Sequence, residues 1–125
     1  MKIAVTATGK DLDARVDPRF GRCKGFVVVD SETGVFTAID NPGAMAGGGA
    51  GIQAAQAVAN AGADVVLAGN YGPNAHGALA AGGIKAYMVQ GGTVREAVEA
   101  FQGGELAEAS EATVPSHFGT GGQRT

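Results

Sequence analysis

The segment DVVLAGNYGPNA, residues 64–75, joins a strand directly to a helix. Asp64 to Gly69 is an apolar run of the length expected for a strand that is buried on both faces. Pro73 then stands at the first position of a helix, where proline is favoured, and Gly82 and Gly83 end that helix. A strand followed at once by a helix is typical of a parallel α/β unit.

Similar units flank this segment. On its C-terminal side, Ile84 to Val89 predicts another strand, and Thr93 and Glu96 form a capping box that opens a helix ended by Gly103. On its N-terminal side, Ala50 to Ala61 carries apolar residues at helical spacing, and Gly62 follows the helix C-cap. Strands and helices therefore alternate along most of the chain.

The first 40 residues predict a strand and a hairpin. Ile3 to Thr6 is a short apolar strand, and Gly25 to Asp30 is joined to Val35 to Asp40 by the polar turn Ser31 to Gly34. With the first strand central, the hairpin on one side and the last two strands on the other, the fold class is α/β with a five-stranded, mixed and mostly parallel sheet. Open sheets of this kind bind ligands at the carboxyl edge of their strands. The loops predicted to meet at that edge are Ala7–Lys24, Asn41–Gly51, Asn70–Asn74 and Gln90–Gly92.

The composition indicates one small domain. The chain has 125 residues, is 45% hydrophobic, and contains 22 Gly and no Trp, which predicts close packing of small side chains. We expect a single domain over residues 1–114 and a mobile tail over residues 115–125, because the chain beyond about Val114 has little apolar content.

Charge and hydropathy exclude several partners. The formal net charge is -3, and no basic stretch interleaves with aromatic residues, which argues against nucleic acid and against an anionic membrane surface. No apolar run approaches the roughly 20 residues needed to span a bilayer, and no signal peptide is evident. We therefore expect a cytoplasmic protein, and the single Cys23 fits a reducing compartment.

A glycine loop, Gly47-Gly48-Gly49-Ala50-Gly51, directly precedes one predicted helix. Bare backbone N–H groups and the positive end of the helix can receive an anion there. The alternative is a loop whose glycines merely allow helix and sheet to approach closely, and the residues leave both interpretations open. A dinucleotide site is disfavoured, because the preceding strand ends well before the glycines and no acidic residue follows at the expected spacing.

A basic loop is the second candidate, since five of the nine Lys and Arg residues lie between Lys10 and Lys24. Arg19 and Arg22 can bind oxyanions or sulfide-rich anions in a fixed geometry, and Lys24 adds charge. The alternative is a solvated loop in which its three aspartates pair with the bases. Cys23 is a candidate metal ligand, although a small apolar core residue is the simpler interpretation.

The turn at residues 69–76 is the third candidate. Asn70 and Asn74 could donate hydrogen bonds to a ligand, but Gly, Pro and Asn are also what a tight turn requires. His76 and His117 are too far apart in sequence to form a ligand motif. The chain lacks a nucleophile elbow, paired carboxylates at strand ends and a His-Glu-x-x-His motif, so we do not expect an enzyme.

Three motifs occur in order: RFGR at residues 19–22, GGAGIQAA at 48–55 and AGNYGPNA at 68–75. Together they resemble the dinitrogenase iron-molybdenum cofactor biosynthesis family, which includes NifX-like proteins and the C-terminal domain of NifB. The resemblance covers about residues 1–105 and is greatest to the small stand-alone orange-protein group. It implies a three-layer α/β/α, RNase-H-like fold that holds metal-sulfide clusters or cofactor precursors without catalysing a reaction.

The resemblance also implies a cargo and its partners. The cargo would be a molybdenum-containing metal-sulfide cluster, with iron or copper, held mainly non-covalently by Arg19, Arg22, Lys24 and the amides of Gly47 to Gly51, with Cys23 optional. The partners would be a metal-cluster donor or acceptor protein, and some relatives work beside P-loop ATPases. Many relatives have a His where this chain has Arg19, so imidazole ligation is not expected there. The alternative is a regulatory module that binds a phosphorylated metabolite or a partner protein through the same loops.

Overall fold

The computed structural model of the protein describes residues 1–45 and 48–110. Gly47 and the predicted tail, together with the predicted domain end at residue 114, lie outside the described residues. In chain order the elements are β1 (Lys2–Ala7), β2 (Gly25–Asp30), β3 (Phe36–Asp40), a short 3₁₀ helix (Pro42–Met45), α1 (Ala50–Asn60), β4 (Val65–Ala68), α2 (Pro73–Ala81), β5 (Lys85–Met88), α3 (Val94–Gln102) and β6 (Ala107–Glu108).

The six strands form one sheet in the order β3-β2-β1-β4-β5-β6. β1 lies near the centre, antiparallel to β2 and parallel to β4, and Ala4 pairs with Val28 on one side and Val66 on the other. β5 is parallel to β4, and β3 is antiparallel to β2. β1, β3, β4 and β5 therefore run in one direction, which confirms the predicted arrangement of the hairpin and the later strands.

The predicted count of five strands is wrong, because β6 adds a sixth. β6 pairs antiparallel with β5 through Tyr87 with Glu108 and Met88 with Ala107. Both β6 residues are exposed, and neither is β-branched or aromatic, so no alternation or propensity marks the strand in the sequence. The α/β fold class is unaffected.

Three layers follow from the alternation of side chains along the central strands. Ile3 and Val5 belong to a core shared with α3, including Val94. Ala4 belongs to the opposite core, shared with α1 and α2. Two helices thus cover one face of the sheet and one helix covers the other, as the predicted α/β/α class requires. Across residues 1–45 and 48–110, no helix is long and apolar enough to cross a bilayer.

The loop after β1 is tied to the loops that follow β4 and β5. The N–H of Val16 donates to the carbonyl of Gly92 at 2.9 Å, and the N–H of Asn70 donates to the carbonyl of Pro18 at 2.8 Å. Phe20 anchors the loop in the core, with its ring centroid 5.5 Å from that of Tyr71. The predicted convergence of loops at the carboxyl edge is therefore present.

Candidate functional site

The three sequence motifs meet through a close approach of glycine backbones. A Cβ on Gly21 would lie 3.2 Å from the Cα of Gly51, and a Cβ on Gly51 would lie 2.8 Å from the Cβ of Ala75. Real Cβ atoms essentially never approach that closely, so Gly51 must be glycine for the N-terminus of α1 to pack on α2. The basic loop, the glycine loop and the turn after β4 are thereby held in contact.

The three segments line a solvent-open pocket of about 320 Å³, which we call the arginine pocket. Its lining residues include five that the sequence singled out: Arg19, Arg22, Gly51, Asn70 and Asn74. The first turns of α1 and α2 complete the wall, through Ala50 and Pro73. Segments distant in sequence therefore form one concave surface.

Two helix N-termini open on the arginine pocket. The N-cap of α1 is Gly49, at φ +71°, and the N-cap of α2 is Gly72. Neither N-cap contributes a capping side chain, and neither first turn contains an acidic residue. By contrast, α3 is closed by the capping box of Thr93 and Glu96. The first amides of α1 and α2, together with the positive ends of both helix dipoles, therefore favour an anion in the pocket.

Arg19 and Arg22 supply full positive charges to the same pocket, and both are exposed. The Nε of Arg19 lies 3.4 Å from Oδ1 of buried Asp17, which also accepts the Arg19 N–H at 3.0 Å. Arg19 stays 62% exposed in this pairing, so its guanidinium remains accessible to a ligand. Of the loop aspartates, Asp17 pairs with a base of the loop, whereas Asp13 contacts Arg95 at 3.4 Å. Of the pairings that the alternative predicts, the one between Asp17 and Arg19 is therefore present.

Cys23 lies in the core between the loop and the sheet. Its side chain is fully buried, and Sγ donates to the carbonyl of Phe20 at 3.3 Å. Burial, together with the negative charge of Asp17, raises the pKa of the Cys23 thiol to about 12. A soft metal binds the thiolate, so this geometry favours the interpretation of Cys23 as a core residue over that of a metal ligand.

Unlike Arg19 and Arg22, the residues Lys24, Gly48 and Gly49 do not line the arginine pocket. Lys24 lines a separate cavity of about 160 Å³ together with Lys10 and Asp40. Gly48 and Gly49 are exposed on the chain just before α1 and are not among the residues that line the arginine pocket. Among the described glycines of the glycine loop, Gly51 is therefore the one that lines the pocket, next to Ala50.

Asn41 also organises this region, although its sequence context did not mark it as a site residue. It is buried, and its side-chain Nδ2 donates to the carbonyls of Gly21 at 3.1 Å and Cys23 at 2.8 Å. Its Oδ1 accepts the N–H of Gly43 at 2.9 Å, at the start of the chain leading to α1. An Asn before a Pro predicts only a turn, and no local pattern reveals acceptors that lie 18 and 20 residues earlier.

Comparison with known proteins identifies the family. The family model described as dinitrogenase iron-molybdenum cofactor matches residues 1–104. The chain belongs to this family. The resemblance inferred from the three motifs is therefore confirmed.

Two solved structures share the fold over nearly the whole chain, and one curated relative matches most of the chain in sequence. The apo orange protein of Desulfovibrio gigas is 48% identical, with a TM-score of 0.87, and the match covers 90% of this chain and 96% of that one. A Thermotoga protein described as a NifB candidate of the DUF35 family is 37% identical, with a TM-score of 0.80, over 90% of this chain and 97% of that one. An uncharacterised protein of Methanocaldococcus jannaschii is 30% identical over 109 residues, which are 85% of this chain and 89% of the relative. The similarity to orange protein confirms the expected branch of the family.

Proposed function

We propose that the protein is a carrier that binds an anionic metal-sulfide cluster in the arginine pocket, mainly without covalent bonds. The observation that carries this proposal is the meeting of Arg19 and Arg22 with two uncapped helix N-termini around one pocket. Guanidinium and backbone N–H groups are hydrogen-bond donors, and the outer sulfides of a cluster accept such bonds and carry negative charge. Charge and donor geometry therefore match the cargo.

Molybdenum is the metal we propose, with iron or copper as the second metal. The family is described by the iron-molybdenum cofactor of dinitrogenase, which supports molybdenum and iron. The pocket of about 320 Å³ has room for a small cluster of several metal and sulfide atoms and is open to solvent. An open, charge-matched site also allows release of the cargo to an acceptor protein.

Transport rather than catalysis fits the lining of the pocket. The residues that line it include no acidic, thiol, hydroxyl or imidazole side chain that could act as an acid, a base or a nucleophile. Across residues 1–45 and 48–110, no group of three or more His, Cys, Asp or Glu side chains could hold a metal ion. The proposed carrier therefore relies on a preformed cluster, and a donor or acceptor protein follows as its partner. A P-loop ATPase stays a prediction from the family resemblance.

Anaerobic reconstitution tests the proposal. The full chain is incubated with molybdate, sulfide and either iron or copper, and then passed over a sizing column. We expect a visible chromophore that co-elutes with the protein and is strongly reduced in the double variant Arg19→Ala/Arg22→Ala. The matched control is Arg95→Ala, because Arg95 is an exposed arginine that contacts Asp13 and does not line the pocket. Absence of a chromophore, or equal loss in control and double variant, would overturn the proposal.

The same pocket could bind a phosphoryl group, as the regulatory alternative requires, because open amides and arginines also suit phosphate. Thermal-shift measurements with inorganic phosphate and nucleotides in the absence of metal separate the two functions. If the pocket selects a metal-sulfide cluster, these ligands should stabilise the protein much less than the reconstituted cluster does. Saturable stabilisation by a phosphorylated compound alone would favour the regulatory module.

A further inference from the structure

A second and larger pocket, of about 690 Å³, lies at the carboxyl ends of β4 and β5. We propose that it is a binding site for a small organic cation with an apolar body, distinct from the arginine pocket. This inference does not depend on the proposed carrier function, and nothing in it requires a metal or a cluster. We call it the switch-point pocket, because it lies between adjacent strands whose connections run to opposite faces of the sheet.

The topology places this pocket where open α/β sheets bind ligands. β4 and β5 are adjacent parallel strands. The chain leaving β4 runs to α2, whose Ala75 and Leu79 pack in the core on one face of the sheet. The chain leaving β5 runs to α3, whose Val94 packs in the core on the other face. Neighbouring connections that diverge to opposite faces leave a crevice between the strand ends, which is the general site of ligand binding in such sheets.

The lining of the switch-point pocket fits an apolar body. Its walls include Val16, Pro18, Met88, Val89 and Leu106. Asn70 and Gln90 add amide groups that can fix the orientation of a ligand. A concave site of several hundred cubic ångströms, mostly apolar and with a few polar groups, is typical of small-molecule pockets.

The charge at the switch-point pocket is opposite to that at the arginine pocket. Glu105 is the ionisable residue among the lining residues, and none of them is a Lys, Arg or His. The N-terminus of α3, which follows the lining residue Gly91, is capped by Thr93 and Glu96, so it lacks the uncapped first turn found at α1 and α2. An exposed carboxylate beside apolar walls favours a ligand with a positive group and disfavours an anionic cluster.

The two pockets share one wall. Asn70 lines both, and its backbone is paired with that of the loop after β1, through the carbonyl of Pro18 at 2.8 Å and the N–H of Phe20 at 3.3 Å. A ligand in the switch-point pocket would therefore contact the backbone bridge that also shapes the arginine pocket.

Amide NMR titration of the full chain tests this site with three probes of similar shape: benzylammonium, benzyl alcohol and phenylacetate. We expect saturable shifts at Gly69, Gln90, Gly91 and Leu106, with affinity falling in the order cation, neutral, anion. Glu105→Gln should weaken benzylammonium binding about two- to fivefold, as expected for an exposed ion pair, and leave benzyl alcohol unchanged. The matched control is Glu99→Gln, since Glu99 is exposed and lies outside the lining residues.

Three results would overturn the inference: no saturable shifts at these amides, phenylacetate binding as well as benzylammonium, or the same affinity loss in Glu105→Gln and Glu99→Gln. Reconstitution of the metal-sulfide chromophore on the Glu105→Gln variant distinguishes failure of the cation-site proposal from failure of the carrier proposal. The carrier proposal requires that this variant still forms the chromophore, whatever the probes show.

Discussion

The side-chain amide of Asn41 holds the backbone on both sides of Arg22. Nδ2 donates to the carbonyl that precedes Arg22 at 3.1 Å and to the carbonyl of Cys23 at 2.8 Å. Oδ1 accepts the N–H of Gly43 at 2.9 Å. One buried residue thus links the basic loop to the chain that leads into α1, and both segments contribute to the arginine pocket.

Asn41→Asp is expected to destabilise the protein and to weaken cluster binding. The substituted carboxylate keeps the shape of the side chain but cannot donate to the two carbonyls, so buried polar groups lose their partners at a cost of about 1–3 kcal/mol. Urea unfolding measures the loss of stability, and the reconstituted chromophore measures binding. Gln56→Glu makes the same change in charge at an exposed position of α1 and should leave both quantities nearly unchanged. Equal changes in unfolding free energy and in chromophore binding in the two variants would show that Asn41 does not hold the loop.

Gly51→Ala is expected to cost about 1–3 kcal/mol of unfolding free energy, because the added Cβ would lie 2.8 Å from the Cβ of Ala75. Gly77→Ala is the matched control. Gly77 also lies within a helix, but a Cβ there meets nothing within 4 Å. Alanine at that position should stabilise the protein by about 0.5–1 kcal/mol. If both variants gained stability, the close approach of α1 and α2 would not be real.

Arg22→Ala is expected to lower the affinity for the cluster at least about tenfold, the loss expected when a charged hydrogen bond is removed. Lys24→Ala should have a much smaller effect, because Lys24 lines the separate cavity shared with Lys10 and Asp40. Affinities come from titration of the reconstituted chromophore at one fixed salt concentration. An equal or larger loss in Lys24→Ala would place the cargo at the lysine cavity.

The buried thiol of Cys23 predicts a pH dependence of stability. Burial raises the pKa of Cys23 from 9.0 to about 12, so the folded protein holds this proton more tightly than the unfolded chain does. The resulting stabilisation is complete below about pH 9 and is lost as the pH rises toward 12. Between about pH 8 and pH 10, wild type should lose roughly 1–2 kcal/mol of unfolding free energy relative to Cys23→Ala. Denaturant unfolding at the two pH values measures this difference, and a constant difference would mean that Cys23 is not buried as a thiol.

The elements with strong periodicity could be predicted from the sequence. β1 to β5 have apolar runs, α1 and α3 have apolar residues at helical spacing, and α2 begins at Pro73 and is ended by glycines. β6 could not be predicted, because Ala107 and Glu108 form a strand only through pairing with β5. Local propensity says nothing about such a contact.

The location of the candidate site could be predicted from the sequence, but only some of the residues that line it could. The convergence of loops at the carboxyl edge follows from parallel strands, and it brings Arg19, Arg22 and Asn70 to one pocket. The directions of side chains within the loop after β1 depend on tertiary contacts. Burial of Phe20 and the hydrogen bonds from Asn41 turn Cys23 into the core, while Lys24 lines another cavity. No spacing rule encodes those contacts.

Mapping where the cluster binds on the protein tests the carrier proposal most directly. Amide NMR spectra of the full chain, recorded before and after anaerobic reconstitution, report which backbone groups contact the cargo. We expect the largest changes at Arg22, Gly51 and Asn74, which line the arginine pocket. Changes confined to Lys10, Lys24 and Asp40, or to the switch-point pocket, would contradict the carrier proposal.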